Sequence, residues 1–526
     1  MPTTKPATHV VWIGTWTSFF VTQSGFLLGE TFMNKIKSNH TCPALGLRAA
    51  GSALFLGFLA LATAASANEA NLTRFGPEIY ERERGAPTND SATFRAMDGP
   101  AELILQDNGI VNAKIKVNGH DVVVGKDFRG DGEIVIPLHL YTENTIEVSV
   151  RGKPGGKLGV RVTQFTESDI NVRAQMYFGL NTSDFFKQLD FYSTLGITGH
   201  IYPAGPEECK TFAQSLGFPD NYLIRVALSS FNFAAPWIDT VGFRDFSYRD
   251  DPPYANLNHI GMAYATYSTS DLDGDYDYLM GEGVEFVSEP TLAPNGERFM
   301  FLKDQDGTFI KLIEESGDST DGPDLVRLVN TNMNVADLER SREFYRLLGF
   351  TLEEDGSQEG SGAFAEAHGF DDPIKFEGVD VSLPGTGAPF GGDDEATLQL
   401  RQWETPFNSA PPYSPPVNHL GIDRIALFVD DLNAATDEMN RLGFEQLGPI
   451  GEPVATVSGR ELRHASELQL NELERQVLDA IDETSTPIDH VIGRCQLAAH
   501  RVIATISVLE MRRLVRRLSG QYVVRI

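Results

Sequence analysis

The sequence predicts an α+β protein in which repeated strand-helix-strand units follow a small β-sandwich and precede a winged helix. Three observations carry that expectation. The phrase NHIGMAYATYSTSDLDG, starting at Asn258, returns as NHLGIDRIALFVDDLNA at Asn418, 160 residues on (418 − 258). A second pair, MYFGLNTSDFFKQLDFYSTLGI from Met176 and LVNTNMNVADLERSREFYRLLGF from Leu328, matches Asp184 to Asp337 and Tyr192 to Tyr345 at an offset of 153 (337 − 184). Apolar residues alternate with period two between Ala101 and Val162, and with a helical period beyond Leu470.

A chain of 526 residues exceeds what one ordinary core accommodates, so several domains are expected. The boundaries fall at 1–67 for a leader, 68–166 for the sandwich, 167–318 and 322–460 for two successive pairs of units, and 464–526 for the winged helix. A net charge of −30 argues against generic binding to DNA or an anionic membrane, because phosphate contacts need clustered Lys and Arg. The end of the chain reverses this balance, with seven Arg against one Glu from Arg494 to Ile526, a local +6.

The leader reads as an address. Arg48 precedes the apolar run Ala49 to Ala64, followed by Ala65-Ser66-Ala67 and the polar Asn68, the three parts of a secretory signal. The run is short for a bilayer span, so cleavage after Ala67 is expected over a retained anchor, with the product periplasmic or extracellular. Met33-Asn34-Lys35-Ile36-Lys37 offers an alternative start. Cys42 falls in the leader, and Cys209 and Cys495 lie far apart, which implies neither a disulfide framework nor a Cys-based zinc site.

From Ala101 the segments AELILQ, AKIKV, DVVV, EIVIPLHL, NTIEVSV and KLGVRV are separated by Asp107-Asn108-Gly109, Asn118-Gly119 and Gly152-Lys153-Pro154-Gly155-Gly156, the pattern of a small antiparallel sandwich after a polar stretch ending near Met97. Its wording resembles accessory β-sandwich modules of bacterial exported proteins, which implies a spacer or adhesion role. His120, beside a turn glycine, reads as an exposed turn residue.

In the repeats Asp184, Asp271, Asp337 and Asp431 each stand between a strand and a helix, where a carboxylate accepts from first-turn N–H groups, and Gly196, Gly283, Gly349 and Gly443 stand at the helix exits. The aspartates are therefore read as caps. Asp275, Asp277 and Glu282 lie at helical rather than calcium-loop spacing and read as a solvated face.

The sequence FY-x-x-LG-[IF] at Phe191 and Phe344, in two of the four units, with the closing KDQDGTFIKLIEE from Lys303, resembles the βαβββ unit of the vicinal oxygen chelate superfamily. That superfamily contains glyoxalase I, bleomycin-resistance proteins and extradiol dioxygenases. The resemblance covers about Asn171 to Thr456 and implies four units pairing in sequence into two clefts. It also implies metal ligands at a first-strand His, seven residues before the capping Asp, and at a last-strand Glu, a set suited to Fe, Zn, Mn or Ni. Here the first-strand slots hold Tyr177, Tyr264, Asn330 and Arg424, and the last-strand slots hold Asp239, Lys311 and Gln399, the fourth unit having no recognisable closing strand. Charged Arg and Lys are not metal ligands, so no cofactor is expected.

With sequential pairing, Tyr177, Tyr264, Asp239 and Lys311 would share a first cleft suited to a carboxylate or phenolic ligand, and Asn330, Gln399 and Arg424 a second, anion-friendly one. His259 and His419 precede the ligand slots by five residues, each after a Pro-Pro-Tyr turn, and read as structural residues at a strand entrance rather than as ligands. The leading expectation is an exported protein with degenerate metal sites that binds a small anionic or aromatic ligand. The alternatives are a lyase or extradiol-type dioxygenase using a divalent metal, and a DNA-binding protein acting through its tail.

After Gly459 the wording PIDHVIGRCQL and RVIATISVLEMRRLVRRLSGQYVVR resembles the winged helix of the DNA-processing protein DprA/Smf. Three helices, the third from about Ala498 to Val515, and a closing strand are expected, with Arg512, Arg513, Arg516 and Arg517 as phosphate contacts or as a solvated face. An exported chain does not ordinarily meet chromosomal DNA, so the junction near Gly459 reads as a gene fusion, genuine or artefactual.

Overall fold

The computed structural model describes residues 68–82, 84, 89–110, 112–123, 132–151, 154–202, 207–208, 223–230, 236–243, 254–317, 323, 325–384, 396–413, 418–444, 446, 460–462, 472–482, 485–495, 497, 499–511, 514–518 and 522–525. The leader, Cys209, Arg512 and Arg513 lie outside them.

The chain opens with two four-stranded antiparallel sheets. One runs Asn68–Glu81, Lys157–Ser168, Gly99–Asn108, Gly132–Leu140, and the other Asn89–Arg95, Glu143–Arg151, Asn112–Val117, His120–Val123. Alternate residues from both, among them Leu103, Leu105, Ile115, Ile146, Val160 and Val162, form one core. Asn118 and Gly119 turn with φ of 52° and 79°, a conformation asparagine and glycine tolerate, and His120 follows them exposed. The stretch before Met97, read as merely polar, contributes two strands, in which Leu72, Phe75 and Phe94 are buried.

Each of the four units that follow begins with a strand, a capping aspartate and a ten-residue helix: α1 Phe185–Thr194, α2 Leu272–Gly281, α3 Leu338–Leu347 with the short α4 Ala363–Ala367 later in its unit, and α5 Leu432–Arg441. Asp184, Asp271, Asp337 and Asp431 accept from the N–H groups of Lys187, Gly274, Arg340 and Ala434 at 3.3, 2.9, 2.9 and 3.0 Å. Gly196, Gly283, Gly349 and Gly443 leave the helices at φ of 84° to 99°, left-handed as the exit requires. Asp275 departs from the solvated face expected for it: its carboxylate is buried and accepts from Thr269 Oγ1 at 2.5 Å, while Asp277 and Glu282 are exposed.

The units do not pair in sequence. The first strand of unit 1, Val172–Asn181, lies antiparallel to the first strand of unit 4, Gly421–Val429. The first strand of unit 2, Tyr264–Thr269, lies antiparallel to that of unit 3, Leu325–Asn334. The expected grouping of units 1 with 2 and 3 with 4 is therefore corrected to 1 with 4 and 2 with 3. In the first three units the other edge is taken by a parallel strand of the same unit, Trp237–Phe243, Phe309–Glu314 or Thr397–Thr405. A core including Phe178, Leu180, Tyr267, Leu312, Leu400 and Leu427 draws on both sheets.

The sandwich is docked on these units rather than held apart as a spacer. Asn71 N–H donates to Glu343 of α3 (2.6 Å), Asn68 Nδ2 to the carbonyl of Ile170 (2.7 Å), Arg74 to the carbonyl of Leu442 (2.7 Å), and Arg441 of α5 to the carbonyl of Glu167 (2.9 Å).

At the other end, α6 Glu472–Asp479, α7 Ile488–Cys495 and α8 Ala499–Met511 surround Val477, Leu478, Val491, Val502, Ile506 and Val523. The third helix ends before Val515: Val515–Leu518 pairs instead with Tyr522–Arg525 as a hairpin, which buries Val515 and Val523. Ahead of the helices, Arg460–Leu462 adds to the unit 1 sheet beside Gly199–Tyr202.

The D-x-D-G turn of unit 2 clamps the start of α1. Asp304 accepts from the N–H groups of Asp306 (2.9 Å) and Thr308 (2.8 Å) and from Gln188 Nε2 (2.7 Å), while Asp306 accepts from Thr182 Oγ1 (2.6 Å) and Ser183 N–H (3.0 Å). Burial pushes the Asp304 carboxyl up to about 6, against hydrogen bonds that favour its anion. A raised native pKa means that this group's contribution is full below the unfolded value near 4 and is lost as pH rises through about 6. Asp304→Asn keeps an acceptor for the two N–H groups and carries no charge. The variant is expected to gain stability relative to the parent between pH 4 and 7, by up to about 3 kcal/mol, as read from denaturant midpoints across that range.

Candidate functional site

On the unit 1 and 4 sheet the structure brings together Tyr177, Asp239 and Arg424. Asp239 lies opposite Gly179 on the neighbouring strand, and Arg424 crosses the same glycine from the other side. Arg424 Nη2 donates to Asp239 Oδ2 at 2.6 Å, and Nη1 donates to both oxygens of Asp423 at 2.7 Å. All three side chains are buried. Burial raises Asp423 to about 6 and also raises Asp239, in each case opposed by Arg424. Burial pulls Arg424 down, and the two carboxylates more than restore it. Burial, reinforced by Asp239, keeps the Tyr177 phenol protonated. This is an occupied charge cluster: the guanidinium expected to bind an anion already holds two carboxylates.

The two repeated histidines meet at the join between the sheets. His259 and the preceding turn's Tyr254 pack on Tyr413 and His419, the corresponding pair ahead of the second phrase and in it, with Tyr254 and Tyr413 stacked at 4.9 Å and 10°. Each histidine places Nδ1 2.9 Å from the carbonyl of the next residue, Ile260 or Leu420, which makes Nδ1 the protonated nitrogen. Asn334 Nδ2 donates to the carbonyls of Leu257 (2.6 Å) and His259 (2.8 Å), and Asn181 Nδ2 donates to that of His419 (2.9 Å).

The unit 2 and 3 sheet carries Tyr264, Lys311, Asn330 and Gln399 on one face, set by strand alternation and register. Lys311 lies beside Thr266, and Thr266 beside Asn330; in the next row Asn332 lies beside Gln399, and Gln399 beside Asp380. Tyr264 donates to Gln399 Oε1 (2.8 Å) and accepts from Arg401 Nη1 (2.5 Å), and Gln399 Nε2 donates to Asp380 (3.3 Å). Lys311 pairs with Glu297 and stands over the Phe299 ring at 5.0 Å, while Arg401 stands over Phe376 at 4.3 Å. Burial lowers Lys311, opposed by Glu297, and burial raises Asp380, opposed by Arg401. Helix α4 covers part of this face: His368, at its end, packs among Phe299, Phe301, Phe364 and Trp403. Burial drives His368 down to about 3, so it is neutral and donates through Nδ1 to the carbonyl of Phe364 (2.8 Å).

Several buried polar atoms on this face have no hydrogen-bond partner among the described residues: Thr266 Oγ1, Asn330 Oδ1, both amide atoms of Asn332, Asp380 Oδ1 and Arg401 Nε. They lie in adjacent rows of the sheet between Lys311 and Arg401. Sequence reading missed Asn332, Asp380, Arg401, Glu297 and His368. Alternation offered a signal for two of them, since Asn332 and Arg401 follow Asn330 and Gln399 by two positions.

Comparison with known proteins gives three family matches within the chain. Residues 224–312 match the Glyoxalase/Bleomycin resistance protein/Dioxygenase superfamily, residues 327–360 the bleomycin resistance protein-like N-terminal family, and residues 462–521 the DprA winged helix domain. The chain carries glyoxalase-type modules and a DprA winged helix. Among solved structures it is similar to glyoxalase I from Zea mays, at 14% identity over 51% of this chain and 80% of that one, with a TM-score of 0.34. It is also similar to a glyoxalase family protein from Bacillus cereus, at 17% identity over 29% and 100% with a TM-score of 0.25. A third is a superfamily member from Sphaerobacter thermophilus, at 23% over 27% and 95% with a TM-score of 0.19. No curated protein matches the sequence.

The donors in the glyoxalase-type slots do not fit a divalent metal. Arg424 is spent on carboxylates, Lys311 is ion-paired, Tyr264 accepts from Arg401, and the remaining slots of the unit 2 and 3 sheet are amides. Among the described residues no three His, Cys, Asp or Glu side chains are grouped to hold an ion. The DprA-type winged helix is compatible with DNA, although Arg517 is tied to Ser507 Oγ (2.6 Å) and to the carbonyl of Ile503 (3.0 Å), while Arg516 is exposed.

The clamp on Arg424 is testable through the glycine beneath it. A Cβ on Gly179 would lie 2.4 Å from Arg424 Cζ, whereas one on Gly281 in α2 meets nothing within 4 Å. Gly179→Ala is expected to cost about 1–3 kcal/mol and Gly281→Ala to add about 0.5–1 kcal/mol, both read from thermal unfolding.

Proposed function

We propose that this is an exported protein whose unit 2 and 3 sheet binds a small aromatic anion without a metal. The observation that carries the reading is the set of buried polar atoms with no hydrogen-bond partner among the described residues, Thr266 Oγ1, Asn330 Oδ1, both amide atoms of Asn332 and Asp380 Oδ1, bounded by Lys311 and Arg401. An uncompensated buried amide costs about 1–3 kcal/mol, and a ligand carrying its own donors and acceptors offsets that cost. Phe299, Phe301, Phe376 and Trp403 on the same face supply contacts for a ring, and the Arg401 guanidinium supplies attraction for a negative charge. Export rests on the signal-like run ending at Ala67, and periplasmic or extracellular residence follows from it.

Calorimetric titration with benzoate and with its uncharged analogue benzamide tests the reading. Benzoate is expected to bind at least about tenfold tighter, a difference of ~1.4 kcal/mol; equal affinities, or no binding by either, would overturn it. Asn332→Leu is expected to raise stability by about 1–3 kcal/mol and to weaken benzoate. A fall in Tm would show that the Asn332 amide is already satisfied, and would remove the observation on which the proposal rests.

A further inference from the structure

Resting on that reading, we infer that Lys311 is a nucleophilic amine that forms an imine with an aromatic aldehyde or ketone bearing an anionic group. Four features converge on it. Its side chain is 6% exposed, and its hydrogen-bond partner among the described residues is Glu297. Its ammonium faces the Phe299 ring at 5.0 Å, an apolar wall against which a ring can lie. Glu297 is 29% exposed, so this carboxylate reaches solvent while holding the amine, the placement a proton shuttle needs. Arg401 lies on the same face, where it can take the anionic substituent while the carbonyl approaches Lys311.

Burial and the neighbouring Arg401 favour the neutral amine, and Glu297 opposes them, so proton transfer between Lys311 and Glu297 generates the nucleophile in place. The Nζ lone pair attacks the carbonyl carbon and the C=O π pair moves to oxygen, which is protonated from Glu297 to give a carbinolamine. The nitrogen then forms C=N as the hydroxyl leaves with a proton as water. One ammonium and one carbonyl become one protonated imine and one water, with no oxidant or reductant consumed. Lys303 serves as the internal comparison: it pairs with Glu285 at 2.9 Å, but its side chain is 31% exposed.

The test treats the full chain with 4-formylbenzoate and cyanoborohydride, which reduces an imine to a stable amine, and maps the labelled lysines by mass spectrometry. Labelling of Lys311 at least about tenfold faster than of Lys303 at pH 7 is expected, slowed by added benzoate and absent in Lys311→Arg. Because the rate comparison is made within the parent protein, it stands even if Lys311→Arg fails to fold. Benzoate binding with no preference for Lys311 would overturn the imine and leave the anion-binding reading intact. Absence of both would remove both.

Discussion

The first strand of units 1, 2 and 3 has two hydrogen-bonding edges, and each of these units fills only one of them from its own sequence. In units 1, 2 and 3 a parallel strand of the same unit takes one edge; the other must be covered, because a buried row of unpaired N–H and C=O groups is costly. Antiparallel pairing of Val172–Asn181 with Gly421–Val429, and of Tyr264–Thr269 with Leu325–Asn334, meets that demand. Everything else about the sites follows from this choice of partners, since it decides which first-strand and last-strand side chains share a face.

The two faces use similar slots in opposite ways. On the unit 1 and 4 side an arginine occupies a first-strand slot, and Gly179 leaves room for its side chain to cross the sheet and reach two buried carboxylates. Charges desolvated together in that geometry are held by each other, so the guanidinium is already engaged. On the unit 2 and 3 side the cations sit at the margins, Lys311 on Glu297 and Arg401 on Tyr264, and several polar atoms between them have no hydrogen-bond partner among the described residues.

The joins between domains rely on side chains bonded to backbone more than on surface charge pairs. Asn68 and Arg74 reach carbonyls at or near the exits of α3 and α5, where helix-terminal carbonyls lack partners of their own. The D-x-D-G turn does the converse at the start of α1, offering carboxylates to its N–H groups and hydroxyls. The sandwich and the turn thus close helix ends that the repeats by themselves leave open.

Local features were legible in the sequence because they depend on neighbours a few positions away. The four capping aspartates, the four left-handed exit glycines and the Asn118-Gly119 turn follow from spacing and backbone chemistry, and the structure shows each of them. The ligand slots implied by the family resemblance picked out Tyr264, Lys311, Asn330 and Gln399, which share a sheet face, as well as Tyr177, Asp239 and Arg424. What only the tertiary structure decided was which of them meet, because a repeat offset of 153 or 160 residues carries no information about which copies pair. It also decided that Asp275 turns inward to Thr269 and that His259 and His419 pack on Tyr254 and Tyr413. Burial, and the approach of Asp239 from 185 positions away, surround Arg424, and packing leaves the Asn332 amide without a partner among the described residues; those are properties of packing rather than of spacing.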